Sequence, residues 1–152
     1  MKIQLFTIPN FLTLTNLFCG CLSILFLTNQ FGNDYSEIAF AVMVLMMISL
    51  VCDFLDGMVA RLLNQQSPLG TELDSLADVV SFGVVPGLMM MKMLENSAGI
   101  SFEYLPFVGL LITLFSALRL AKFNIDTEQT SYFKGLNTPA NTILIFSFFC
   151  FL

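Results

Sequence analysis

Two uncharged apolar runs, Ile38 to Cys52 and Val79 to Met91, enclose a segment with four aspartates, and this arrangement restricts the possible folds more than any other feature of the chain. From Asp53 to Asp78 the segment reads D-x-x-D-G-x-x-A-R-x8-G-x3-D-x3-D. The run before it ends in carboxylates and the run after it begins with them. Leu62 to Leu69, containing Asn64, Gln65, Gln66, Ser67 and Pro68, breaks the apolar pattern and permits a turn. Two antiparallel helices joined there bring Asp53, Asp56, Asp74 and Asp78 to one depth. Spacings of three and four put Asp53, Asp56, Gly57 and Ala60 on one helix face and pair Asp74 with Asp78 on the other helix.

The apolar runs themselves require a membrane. The chain is 57% hydrophobic with a mean hydropathy of +0.84, above the usual share for a soluble domain, and lipid accepts such side chains on every outward helix face. The expected fold is all-α, a polytopic transmembrane helix bundle forming a single membrane domain over residues 1–152. Residues 2 to 10 read as a short interfacial lead-in. The first span runs from about Phe11 to Thr28, and the second from Ile38 through Arg61. The third starts near Gly70, the fourth covers about Tyr104 to Leu118, and the fifth begins near Leu136. Polar connections are expected at Asn29 to Glu37 and Lys92 to Glu103. The last run is still apolar at Leu152, so the expectation is a C-terminal truncation with five spans present of six or more. No cleavable secretory signal is expected.

Asn10, Thr13, Asn16 or Leu17, and Gly20 recur at helical spacing along the first half of span one. Interhelical hydrogen bonding and a place in a cavity wall are both open for this stripe. Gly83 and Gly87 form a small-xxx-small pair interrupted by Pro86, suited to a dimer face or to close packing within one bundle.

The net charge of -5 is a local property, since Asp53, Asp56, Glu72, Asp74 and Asp78 crowd the central segment. Lys2, Arg61, Arg119, Lys122 and Lys134 fall on one side of the membrane and Lys92 on the other, so the positive-inside rule turns the aspartates toward the cytoplasm. Cys19, Cys21, Cys52 and Cys150 lack metal spacing and sit in apolar runs as small hydrophobes. The chain has no His, which excludes imidazole bases and imidazole ligands.

Four converging carboxylates repel one another too strongly at low dielectric to remain uncompensated, and Arg61 supplies only one positive charge. All-oxygen ligands select hard ions such as Mg2+, Mn2+ or Ca2+, in a site for one or two metals. Paired metals held by shared carboxylates serve displacement at phosphorus. Gly57, Ala60 and Gly70 leave room for a flat or charged ligand against the backbone, or for tight helix packing. A divalent-cation transporter and a non-catalytic membrane scaffold are alternatives. A transporter site belongs near the midplane, whereas these carboxylates lie at the membrane edge.

Asp53, Asp56, Gly57, Ala60, Arg61, Gly70, Asp74 and Asp78 together resemble the signature of the CDP-alcohol phosphatidyltransferases at every position and spacing. IPNFLTLTNLFCG, LDSLADVVSFGVVPG, ALRLAKFN and FKGLNTPAN resemble its serine-using bacterial and archaeal branch, with Asn137 standing where proline is expected. The resemblance implies transfer of a phosphatidyl group from CDP-diacylglycerol to L-serine, giving phosphatidylserine and CMP. Other acceptors within the family are glycerol phosphate, inositol phosphate and choline. The resemblance further implies Mg2+ or Mn2+, two ions, held by Asp53, Asp56, Asp74 and Asp78, with Asp78 also the general base. Gly57, Ala60, Arg61 and Gly70 would hold the cytidine nucleotide, with Asn10, Thr13 and Ser67 as further candidates. Arg119, Lys122 and Asn124 would receive the serine carboxylate, or simply anchor the helix on the cytoplasmic side. A homodimer and membrane lipid are the implied partners, and no nucleic acid.

Overall fold

The computed structural model describes residues 7–28, 34–96, 104–125 and 138–149, and all its regular structure is helical. The order is α1 (Ile8–Leu27), α2 (Tyr35–Leu62), α3 (Pro68–Val79), a π-helical turn (Val80–Val84), α4 (Val85–Asn96), a 3-10 segment (Leu105–Leu110), α5 (Leu111–Ile125) and α6 (Thr138–Phe149). Ile8–Leu27, Tyr35–Leu62, Pro68–Glu95 and Leu105–Ile125 are long and apolar enough to cross a membrane. Thr138–Phe149, in the expected fifth span, is a shorter apolar helix. The protein is thus a polytopic helical membrane protein. The described residues form two compact units, one up to Ser81 and one from Phe82.

In the first unit α1 packs against both α2 and α3. Its inward face is polar or small, with Asn10, Thr13, Asn16, Gly20 and Ser23 buried, while Phe11 and Phe18 point outward at 69% and 62% exposure. This inversion of the soluble pattern follows from a solvent as apolar as the side chains it meets. The Thr7-Ile8-Pro9-Asn10 stretch, expected as lead-in, is the start of the helix. Thr7 caps it by accepting from the Asn10 N–H at 3.4 Å, and Pro9 falls in the first turn, where a missing N–H costs nothing.

The α2 core face is Ile38, Val42, Met46, Ser49, Cys52 and Asp56, one row at helical spacing that ends in a carboxylate. The turn that follows closes both helix ends. Asn64 adopts φ 51, Gln65 N–H donates to the Ala60 carbonyl at 2.9 Å, and Asn64 N–H donates to that of Arg61 at 3.3 Å. This left-handed C-cap satisfies the last carbonyls of α2. Ser67 then caps α3 by accepting from Gly70 N–H at 3.0 Å, and Pro68 follows in its first turn.

In the second unit α4 packs against the 3-10 segment, α5 and α6. Pro86 has no N–H to give to the carbonyl four residues earlier, that of Phe82, and the π turn loosens the same ladder. Threonine hydroxyls meet carbonyls of this stretch: Thr142 Oγ1 donates at 3.2 Å to the Phe82 carbonyl that Pro86 cannot serve, and Thr113 Oγ1 donates to that of Gly83 at 3.0 Å. Gly83 and Gly87 lie against Thr113, Ser116 and Gly109, so this small-residue face is used within the chain and is not free as a dimer face. Two further expectations shift. α4 continues to Asn96, which places Lys92 and Glu95 on a helix rather than in a loop, and α5 continues through Arg119 and Lys122 to Ile125. Lys2, Lys134, Leu136, Asn137 and Cys150 lie outside the described residues.

Gly109 marks the tightest approach to backbone atoms among the described glycines of this unit. A Cβ there would stand 2.7 Å from the Met91 backbone N and 2.9 Å from the Gly87 carbonyl O. Backbone atoms cannot rotate away as a side-chain tip can, so Gly109→Ala is expected to lower stability by about 1–3 kcal/mol. A thermal unfolding curve in detergent that matches the wild-type midpoint would contradict this packing.

Candidate active site

The hairpin of α2 and α3 places the carboxylates on facing helix ends, and α1 supplies the third wall. Ligand oxygens of Asp53, Asp56 and Asp74 all lie within 4.8 Å of one another. Asp56 is buried, and Asp53, Asp74 and Asp78 are half-buried. Thr13 Oγ1 on α1 donates to Asp56 Oδ2 at 2.6 Å. Asp78 lies one turn deeper on α3, where its carboxyl pairs with that of Asp53 and Oδ1 accepts from Asn16 Nδ2 at 3.4 Å. The structure therefore gathers three of the expected ligands closely and joins the fourth to the group through Asp53.

The donor set suits a hard cation. It consists of carboxylate oxygens only, and Asp74 Oδ1 is buried without a hydrogen-bond partner among the described residues. A buried lone acceptor within a cluster of like charges is costly unless a cation meets it.

A cavity of about 300 Å3 opens beside the cluster. Asn10, Thr13, Gly57, Ala60, Arg61, Ser67 and Gly70, the residues expected around a nucleotide, all line it, together with Asp56 and Asp74. Ser67 does so while capping α3, and Thr13 while bonding Asp56, so the two readings of the α1 stripe hold together. Gly57 has nothing within 4 Å of where a Cβ would stand, which makes it cavity wall rather than a helix contact. Pro9, Gln65, Gln66 and Thr71 complete the lining and were not singled out from the sequence. Gln65 and Gln66 lie in the turn between α2 and α3, where polar residues carry no periodic signal, and Pro9 and Thr71 lie in the first turns of α1 and α3, where the same residue types serve as helix starts.

A second cavity, of about 530 Å3, shares Asp56, Gly57, Arg61 and Asp74 with the first and adds Asp53. Its remaining lining is apolar: Phe54, Met58 and Leu62. Phe54 and Leu62 are 71% and 72% exposed, on the outer face of α2. Asp56, Asp74 and Arg61 thus line both spaces, of which the first is otherwise walled mainly by polar and small residues and the second by apolar ones.

Of the expected acceptor residues, Arg119 belongs to the second unit, where it lines a separate cavity with Ser116, Thr138 and Asn141. Lys122 and Asn124 are exposed in the last turns of α5. None of the three lines either carboxylate cavity.

Residues 6–152 match the CDP-alcohol phosphatidyltransferase family. The chain belongs to that family. It is 38% identical over 144 residues to a CDP-diacylglycerol--serine O-phosphatidyltransferase of Helicobacter pylori, with 93% of this chain and 56% of the relative covered. A protein of the same name from Bacillus subtilis is 37% identical over 136 residues, covering 87% of this chain and 69% of the relative. An archaetidylserine synthase of Methanothermobacter thermautotrophicus is 36% identical over 145 residues, covering 93% and 57%. The chain therefore spans little more than half the length of the Helicobacter and Methanothermobacter relatives. No solved structure gives a significant match.

Proposed function

We propose that this CDP-alcohol phosphatidyltransferase transfers the phosphatidyl group of CDP-diacylglycerol to the hydroxyl of L-serine, releasing CMP. The observation that supports the reading is that Asp56, Asp74 and Arg61 line two cavities, one otherwise walled mainly by polar and small residues and the other by Phe54, Met58 and Leu62 beside Asp53. A donor with a nucleotide head and a lipid tail needs both environments on either side of its pyrophosphate. Three relatives whose names specify serine or archaetidylserine chemistry support the acceptor.

Asn10, Thr13, Ser67 and Gly70 line the space for the cytidine nucleotide, and Arg61, which faces both cavities, offsets pyrophosphate charge through charge-assisted hydrogen bonds. Asp53, Asp56, Asp74 and Asp78 would hold Mg2+ or Mn2+. Bound there, such ions polarise phosphoryl oxygens and neutralise charge that develops in displacement. Asp78 takes the proton from the serine hydroxyl as that oxygen bonds to the lipid-side phosphorus. The bond from this phosphorus to the bridging oxygen breaks, and CMP leaves with that oxygen. Absence of His leaves a carboxylate for this role.

Arg119, Lys122 and Asn124 are proposed to receive the serine carboxylate. The protein is proposed to sit in the cytoplasmic membrane with the aspartates facing the cytoplasm, as the distribution of Lys and Arg favours. Association as a homodimer is also proposed, through a surface other than Gly83 and Gly87.

Full-length protein purified with Mn2+ or Mg2+ is expected to convert CDP-diacylglycerol and radiolabelled serine to labelled phosphatidylserine. Label found only with glycerol phosphate, inositol phosphate or choline would overturn the acceptor while preserving the chemistry. Ion flux into vesicles without any lipid product would favour the transporter instead.

A further inference from the structure

Asn16 lies on α1 within the first unit, and its side chain is bonded at both ends. Nδ2 donates to Asp78 Oδ1 at 3.4 Å, and Ser49 Oγ on α2 donates to Asn16 Oδ1. Its main-chain carbonyl accepts from Ser81 Oγ at 3.1 Å. Asn16, Ser49 and Ser81 all have 0% exposure. Asp78 Oδ1 accepts from Asn16, so the NH2 end of the amide faces Asp78, and the Ser49 hydroxyl donates to the oxygen at the other end. Three helices are thereby linked in one directed chain, Ser49 to Asn16 to Asp78.

Bonding between helices is the ordinary use of a buried amide, and the Ser81 contact has that character. The side-chain contacts differ because they end on the carboxylate that has a chemical task. A carboxylate at the end of a two-bond rotor gains nothing from basicity if it points away from its proton, and an amide fixed from behind restricts that rotor. We infer that Asn16, supported by Ser49, is a positioning residue that holds Asp78 in the orientation from which it takes the acceptor proton. The inference rests on Asp78 being the general base.

The test uses full-length protein in lipid nanodiscs at saturating Mn2+, with CDP-diacylglycerol and serine varied and CMP binding measured separately. Ser49→Ala is expected to lower kcat about tenfold and Asn16→Ala about a hundredfold, the scale of losing a positioned proton acceptor. KM for CDP-diacylglycerol and the CMP affinity should not change. Ser81→Ala, which removes only the backbone tie, should keep wild-type kcat. A wild-type kcat in Ser49→Ala would overturn the inference even if Asn16→Ala does not fold. So would a loss of CMP binding in Asn16→Ala that parallels its loss of turnover, since that describes a packing role. Asp78→Asn serves as the reference: normal turnover there removes the base reading itself, whereas an inactive Asp78→Asn beside a fully active Ser49→Ala removes only the positioning role.

Discussion

Asp78→Asn is expected to reduce turnover at least about a thousandfold, within the range of a lost general base, while CMP and CDP-diacylglycerol still bind. The substitution is nearly isosteric, so the Asn16 contact and the packing of α3 survive in outline. An amide oxygen has almost no affinity for a proton, so the serine hydroxyl would have to attack without losing its proton to the enzyme. The polar cavity is lined by Asp56 and Asp74 and not by Asp78, which is why nucleotide binding should remain. Equilibrium binding of radiolabelled CMP, measured beside single-turnover product formation, separates the two effects. Near-normal turnover would take Asp78 out of the base role. Loss of CMP binding together with turnover would make it part of the nucleotide site.

Removal of divalent ions is expected to have an effect of comparable size. The oxygens of Asp53, Asp56 and Asp74 lie within 4.8 Å of one another, and Asp74 Oδ1 has no protein partner among the described residues. Chelation by EDTA should take phosphatidyl transfer below about a thousandth of its initial rate, the scale of several kcal/mol of charge stabilisation. Mg2+ or Mn2+ should restore it, as hard ions suited to carboxylate oxygens. Bound Mn2+ counted by electron paramagnetic resonance gives a readout independent of activity, and Asp74→Asn should weaken that binding. Full activity in EDTA, or Mn2+ binding indifferent to Asp74→Asn, would contradict the assignment of the cluster.

The hairpin was legible because its signal lies in the order of residues. Apolar run, carboxylates, breakers, carboxylates, apolar run leaves a membrane chain with one economical arrangement, and α2 and α3 adopt it from Tyr35 to Leu62 and from Pro68 onward. Ser49 could also have been found. It stands four residues before Asp53 and seven before Asp56, on the face that the aspartates define. Other features had weaker signals. Thr7 and Pro9 read equally as a turn and as a helix start, because the same residue types serve both. Gly83 and Gly87 read equally as a face for another copy and as one for the same chain, because a small-xxx-small pattern reports close approach and not what approaches.

By itself the sequence determined that this chain crosses a membrane, that its charge is concentrated on one helical hairpin, and that the resulting donors are oxygen alone. These follow from hydropathy, spacing and composition, which need no partner to be read. Only the tertiary structure decided that α1 closes the site, that Thr13 bonds Asp56, that Asn16 links Ser49 to Asp78, and that Asp56, Asp74 and Arg61 line two cavities of different lining. Each of these depends on the rotation of one helix about its axis relative to another. That rotation is set by packing between residues 33 to 65 positions apart in the chain, a relation that no local pattern encodes.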